Sequence, residues 1–297
     1  MYQPLVSIAV LSFNNKKYLK ECLESIISQD YKNIEIVVGD DASTDGSVEL
    51  LEEYSKIYNN IKIITHLKNV GITVNSNDVH FACTGKYISW MGGDDLMLPG
   101  KISKQVEYME KNADCTMTYH DLEVFQSETE EVLYYFNSKF KKDGDVKTQT
   151  KYGTFNGACS VMIRRDKAPE SGFDTRIPVA SDYLFWVETL SNGGKIHYID
   201  EVLGKYRRHY KNVTSKDGTF AKQGLLDHFN SINIIIQKYP HLLNEALYRY
   251  ASLLLAQRNI DKKFYFAFVT SSLKVRVTKN ALGACLAYIF SFGKIRL

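Results

Sequence analysis

The run Ile34-Glu35-Ile36-Val37-Val38-Gly39 is almost continuously apolar and stops abruptly at Asp40-Asp41, after which Ala42-Ser43-Thr44-Asp45-Gly46 makes a polar turn and an amphipathic segment begins at Ser47. A strand buried on both faces of a parallel sheet has this pattern. The stretch therefore reads as strand, acidic loop, helix. In an open α/β sheet the loops at the carboxyl ends of the strands form the ligand crevice, so Asp40 and Asp41 are expected to project into it. A second edge of the same kind follows where Lys86-Tyr87-Ile88-Ser89-Trp90-Met91 runs into Gly92-Gly93-Asp94-Asp95. Two acidic strand ends point to one site.

The remaining punctuation agrees with an α/β layout. Leu5 to Leu11 is rich in β-branched residues and predicts the first strand, and Ser12-Phe13-Asn14-Asn15 supplies turn and cap chemistry. Tyr18, Leu19, Cys22, Leu23, Ile26 and Ile27 then recur at helical spacing. A helix over 47–57 and a short strand over 61–64 complete a βαβαβ unit, whose parallel strands take right-handed crossovers. A helix over 72–83, the strand over 87–91, a helix after Pro99, strands over 115–125 and 157–163, a helix opening at Ser181-Asp182 and a strand near 195–198 follow. The Lys-rich stretch 139–151 reads as a loop, and beyond about Asp217 the pattern is helical only.

At 297 residues the chain allows one main domain with an appendage, placed at 1–216 and 217–297. Charged residues make up 24% and apolar ones 44%, ordinary for a globular protein. The net charge of +3 is uneven: residues 261–297 hold seven basic side chains and one acid, leaving 30 basic against 33 acidic elsewhere. A basic nucleic-acid-binding body is thereby excluded, and a basic tail is indicated. The five cysteines are scattered without a Cys-x-x-Cys pair, which favours a reducing compartment over disulfides or structural zinc. No signal-peptide pattern precedes the first strand, so the catalytic part is expected in the cytoplasm.

Acidic strand ends can hold Mg2+ or Mn2+, which takes oxygen ligands, uses one or two carboxylates, and lets substrate phosphates complete the shell. Asp94 and Asp95 suit that role, and Gly92-Gly93 would let the backbone approach a phosphate. Taken singly, each acidic pair is equally well a turn that caps the following helix, and Asp182 alone reads as a helix cap.

Together, Val6 to Asn14, the loop Gly39 to Asp45, Gly93-Asp94-Asp95 with Pro99, and Ser181-Asp182 before Trp186 resemble the family-two glycosyltransferases, over roughly Pro4 to Ser215. The resemblance implies the α/β GT-A fold, a Rossmann-like mixed sheet flanked by helices, followed here by a helical extension. It also implies a metal-dependent, inverting transfer from a nucleoside diphosphate sugar, with UDP the expected nucleotide, to a glycan or lipid-linked acceptor in cell-surface polysaccharide synthesis. By that resemblance Asp182 is the catalytic base. Leu11, Phe13, Asp40, Asp41, Gly93, Asp94, Arg207 and His209 bind donor, and Asp94, Asp95 and His209 hold Mn2+ or Mg2+. Two departures stand out: Gly92 replaces the acid that relatives often carry two places before the metal-binding aspartate, and Ser76 replaces an arginine before Asn77.

A sugar nucleotidyltransferase is the rival enzyme, although Ser12-Phe13-Asn14-Asn15 is not the Gly-rich basic loop it needs; a non-catalytic nucleotide-sugar-binding module is the third reading. In the tail, Phe264, Tyr265, Phe266 and Phe268 precede basic residues and the apolar run 281–292, which is shorter than the roughly 20 residues a spanning helix needs. Such a segment suits the surface of an anionic membrane; equally, it suits a helix pair packed on protein or a homo-oligomer contact. Asn212-Val213-Thr214 matches a glycosylation acceptor motif, of little weight without a secretion signal.

Overall fold

In the computed structural model β1 (Val6–Ser12) lies between β2 (Ile34–Asp40) and β4 (Tyr87–Gly92), parallel to both, with Ser12 opposite Asp40 and Leu11 opposite Gly92. The structure describes residues 3–209, 212, 219–259, 262–291 and 293–297. The crossovers are α1 (Lys16–Ile27), α2 (Ser47–Ile57) and α3 (Ile72–Ala82), with β3 (Ile61–Thr65) pairing outside β2. This parallel half agrees with the periodicity of the sequence. Leu19, Cys22, Leu23 and Ile26 of α1 are completely buried in one cluster with Val6, Ile8 and Val10. A 12-residue helix is marginal in water by itself, so burial of these side chains, at about 1.5–3 kcal/mol each, is what holds it.

The other half of the sheet is antiparallel and mixed. It contains β5 (Leu96–Met97), β6 (Cys115–Gln126), β7 (Val132–Tyr135), β8 (Met162–Arg164) and β9 (Lys195–Arg208). The order along the sheet is β3-β2-β1-β4-β8-β6-β9-β5, with β7 paired to β6. The helices α4 (Lys101–Lys111) and α6 (Asp182–Ser191) complete this part, and α5 (Val146–Tyr152) lies between β7 and β8 in sequence.

Several expectations change here. The Lys-rich stretch is not wholly a loop, because Val146–Tyr152 is helical and Gly144 bridges Ile196. The strand expected over 157–163 is shortened to Met162–Arg164, a 3-10 turn occupying Ala158–Ser160. β9 continues far beyond Tyr198. Asp200 and Glu201 are exposed at a register shift between the pairs His120↔Ile199 and Asp121↔Val202, and this polar interruption hides the continuity of the strand.

Two compact units divide the chain: Met1–Val146 with Thr154–Asp227, and Lys147–Gly153 with His228–Leu297. The helix α7 (Thr219–Lys238) contributes to the first as far as Asp227. In the second, α8 (Leu243–Ala256), α9 (Tyr265–Val275) and α10 (Lys279–Phe290) share a small core of Leu255, Tyr265, Val269, Ala281 and Ala284. Ser272 donates to the Ala251 carbonyl at 2.8 Å, and Thr278 caps α10 through the Ala281 N–H. No helix among the described residues is long and apolar enough to cross a membrane.

Candidate active site

Three loops meet at the carboxyl edge of the parallel strands. Asp40 is completely buried, and its carboxylate accepts from the hydroxyls of Ser12 (2.8 Å) and Ser43 (2.7 Å) and from the Ser43 N–H (2.8 Å). The Ser43 bonds lie within the turn, and the Ser12 bond ties it to the end of β1. Asp40, expected to bind donor, shapes the β2–α2 connection through these bonds. Ala42 takes φ 62° in the same turn, which lets the chain reverse beside the aspartates. The carboxylate of Asp41, 4% exposed, accepts the N–H groups of Val70 (2.6 Å) and Gly71 (2.9 Å), so it closes the β2 loop onto the start of α3. Phe13 is half exposed at the end of β1, and the Leu11 carbonyl accepts the Gly93 N–H at 2.8 Å.

The second acidic loop is built from both halves of the sheet. Asp94 Oδ2 lies 3.0 Å from His209 Nε2 and accepts from Asn212 Nδ2 at 3.2 Å, with the Asp94 side chain a quarter exposed. Tyr18 of α1 stacks on the His209 ring at 4.8 Å between centroids. Asp95 faces inward: its Oδ1 accepts the Arg207 N–H at 3.0 Å, and burial, with the adjacent Asp94 charge second, pushes its carboxyl well above the usual range. Gly92 makes room for the pair, since a Cβ there would lie 2.7 Å from Asp94 Oδ1 and 3.2 Å from Asp95 Oδ2. A Cβ at Gly93 would lie 2.4 Å from Asn15 Nδ2. The Gly-Gly step thus leaves room for neighbouring side chains of the protein.

Arg207, expected among the donor-binding residues, is buried at 4% exposure. Its Nε donates to the Asp94 carbonyl at 2.8 Å and its Nη2 pairs with Glu21, so it anchors the loop from behind. Lys101 and Asn212 are the residues that sequence reasoning did not place in the site. Lys101 is completely buried beneath the loop, donating to the Cys159 carbonyl (2.8 Å) and to Ser89 Oγ (3.0 Å), and desolvation lowers its pKa to about 8. The only hint of its position is its place two residues after Pro99 at the start of a helix. Asn212 is joined to Asp94 by the return of β9. The adjoining Val213-Thr214 of the glycosylation motif lies outside the described residues.

Asp182 is the first residue of α6, after the N-cap residue Ser181. Neither side chain caps in the expected way: the Ser181 hydroxyl bonds no helix N–H and lies instead 3.0 Å from Thr73 Oγ1, to which it can donate. Asp182 Oδ1 accepts the N–H of Tyr183 at 2.8 Å, and desolvation raises its pKa. Thr73 also donates to the Ile177 carbonyl at 2.6 Å, and it stands two residues after Gly71, whose N–H meets Asp41. Asp41 and Asp182, remote in sequence, are therefore linked through the start of α3, while Asp94 stands at the end of β4 with His209 and Asn212. Asn77 joins this frame by donating to the Phe173 carbonyl (2.9 Å) and accepting its N–H (2.6 Å).

No group of three or more His, Cys, Asp or Glu side chains suited to holding a metal occurs among the described residues. Of the expected set, Asp94 and His209 stand together, Asp94 partly accessible and the His209 ring nearly buried, while Asp95 is turned to the Arg207 backbone. A carboxylate and an imidazole fit a cation whose remaining ligands are phosphate and water oxygens.

The glycosyl transferase family 2 model matches residues 7–169. An uncharacterized glycosyltransferase of Haemophilus influenzae is 34% identical over 227 residues, spanning 71% of this chain and 68% of its own length. A putative teichuronic acid biosynthesis glycosyltransferase of Bacillus subtilis, TuaG, is 26% identical, over 75% of this chain and 86% of its own. Among solved structures, Staphylococcus aureus TarS 1–349 in complex with UDP-GlcNAc superposes with a TM-score of 0.70 at 14% identity, covering 98% of this chain and 88% of that one. The mannosyltransferase PcManGT of Pyrobaculum calidifontis, in complex with GDP-Man and Mn2+, gives 0.63 at 16% identity, covering 99% and 81%. These likenesses identify the fold as GT-A, with the C-terminal helices added to it. The family match, the relative from Haemophilus and the α/β architecture together set aside the nucleotidyltransferase and the binding module, and place this chain among the family 2 glycosyltransferases.

Proposed function

We propose that this chain transfers a sugar, with inversion, from a nucleoside diphosphate donor to a hydroxyl of a glycan or lipid-linked saccharide in cell-surface polysaccharide synthesis. UDP is the favoured nucleotide, a reading supported by the TarS complex with UDP-GlcNAc, and the TuaG relative supports the polysaccharide role. Two observations support the proposal: Asp94 and His209 are paired at the end of β4, and the Asp41 loop is tied through Gly71, Thr73 and Ser181 to the start of α6, where Asp182 lies.

In this reading Asp182 accepts the proton of the acceptor hydroxyl as its oxygen bonds to the anomeric carbon from the face opposite the diphosphate. The bond between that carbon and the diphosphate oxygen breaks with its electron pair retained by the diphosphate. The loops of Asp41 and Phe13 form the nucleoside end of the crevice, and Arg207 holds the Asp94–Asp95 turn in place. Asp94 and His209 would hold Mn2+ or Mg2+, which when bound supplies positive charge for the departing diphosphate. No covalent nucleophile is required.

In this reading the reaction takes place in the cytoplasm, at the inner face of a membrane where the basic tail meets the lipid surface. Asp182→Asn tests the chemistry: transfer is expected to fall at least about 10²-fold, the lower range of general base contributions, while UDP binding persists. Near-normal transfer by this variant would remove Asp182 from the role of base.

A further inference from the structure

Asp227, on α7 near the far end of the first unit, is completely buried. Its Oδ2 accepts two consecutive backbone N–H groups, from Val179 (2.8 Å) and Ala180 (2.9 Å), and its Oδ1 accepts from Gln223 Nε2 one turn earlier on the same helix (2.8 Å). Ala180 stands two residues before Asp182. The segment between Phe173 and Ser181 is irregular; Asp174 and Arg176 brace its first turn, and side chains from α3 and α7 hold the rest. On one side Thr73 of α3 bonds the Ile177 carbonyl and the Ser181 hydroxyl. On the other side Asp227 grips its last two N–H groups before the N-cap.

We propose that Asp227 is a positioning residue for the acceptor side of the site, fixing the 179–181 segment and hence the direction in which Asp182 leaves the first turn of α6. The inference rests on the reading of Asp182 as the base. Its physical basis is that two adjacent N–H groups converging on one carboxylate leave the peptide between them little freedom to rotate. Hydrogen bonds to a carboxylate are also stronger than those between neutral groups. Without the carboxylate, two part-buried donors lose their acceptor, and the segment must turn to find water or another oxygen. An error of 1 Å in the placement of a reacting group can cost about 10²-fold in rate. Asp227 thereby makes α7, in a region that follows the family-model match, part of the catalytic apparatus.

Asp227→Asn retains a carbonyl oxygen that can accept both N–H groups, whereas Asp227→Ala retains none. The transfer kcat of Asp227→Ala is expected to fall about 10- to 100-fold with UDP affinity unchanged, and Asp227→Asn to recover to within about threefold of the parent. The acid limb of the kcat profile should move in Asp227→Ala and stay in place in Asp227→Asn. Gln223→Leu, which removes only the supporting hydrogen bond, should change kcat in the same direction by about two- to threefold, and it decides the question together with Asp227→Asn if the alanine variant does not fold. The proposal is overturned if Asp227→Ala transfers at the parent rate, if kcat and UDP affinity fall together in every variant, or if Asp227→Asn is as slow as Asp227→Ala. Should Asp182→Asn itself prove active, the reading of the base fails, and the split between kcat and UDP affinity in the Asp227 variants is judged separately.

Discussion

Asp182 occupies an environment with opposing effects on its charge. As the first residue of α6 it stands at the positive end of the helix dipole and accepts the Tyr183 N–H, both of which favour the carboxylate; desolvation outweighs them and raises its pKa. A raised pKa makes a better proton acceptor at neutral pH, provided the group is still ionised. The sign of the pH dependence follows: lowering the pH protonates Asp182 and removes the proposed base. Transfer measured at saturating donor should therefore lose activity on an acid limb centred above about 3.9, the ordinary aspartate value. An acid limb at or below that value in stopped-assay initial rates would contradict the placement of the group. The same resolution of carboxylates by environment separates Asp94 from Asp95. One is a quarter exposed beside His209; the other is turned inward to the Arg207 N–H, so adjacent aspartates perform different work.

At the level of elements, β9 and α10 matter most. β9 runs beside β6, is displaced by its register shifts, and then pairs with β5, which brings Arg207 and His209 to the loop after β4. α10 buries Ala281 and Ala284 but leaves Leu282, Leu286, Ile289 and Phe290 exposed. At 100° per residue these four fall within one broad stripe of the helix, an arrangement suited to a partner surface. Lys274, Arg276, Lys279, Lys294 and Arg296 surround the stripe in sequence, with no acid after Asp261. Basic residues near an anionic bilayer contribute about 1 kcal/mol each, so this composition favours a lipid surface as the partner. The double variant Leu286→Asp, Phe290→Asp is expected to lose flotation with vesicles containing anionic lipid while the parent floats. Retained flotation by the variant, or equal flotation of the parent with neutral vesicles, would assign the stripe to another partner.

For the whole molecule, the expected observable is coupling between donor and cation. A ligand that binds only the folded state stabilises it by about 2.7 kcal/mol at a hundred times its Kd. UDP with Mn2+ should therefore raise the melting temperature more than either alone, and EDTA should abolish the excess. Asp94→Asn should show the UDP increment without the added effect of Mn2+. If UDP stabilises the parent equally in EDTA, the cation has no part in holding the diphosphate. The experiment also distinguishes nucleotides, since GDP and UDP present different bases to the same crevice.

The linear sequence by itself determined the parallel half of the sheet, its crossover helices, the two acidic strand ends and the family, because buried parallel strands and amphipathic helices leave local periodicities that need no knowledge of distant contacts. It also singled out Asp94, His209 and Asp182 as candidate site residues. Only the tertiary structure decided the work of each side chain: Asp40 closes its own turn, Arg207 anchors a loop from beneath, Gly92 makes room for two carboxylates, and β5, β7 and most of β9 form through pairing. The physical reason is that hydrogen-bond partners and desolvation are supplied by residues more than a hundred positions away, as Arg207 is to Asp95 and Ser181 to Thr73. No local pattern encodes which of two adjacent aspartates will face the solvent.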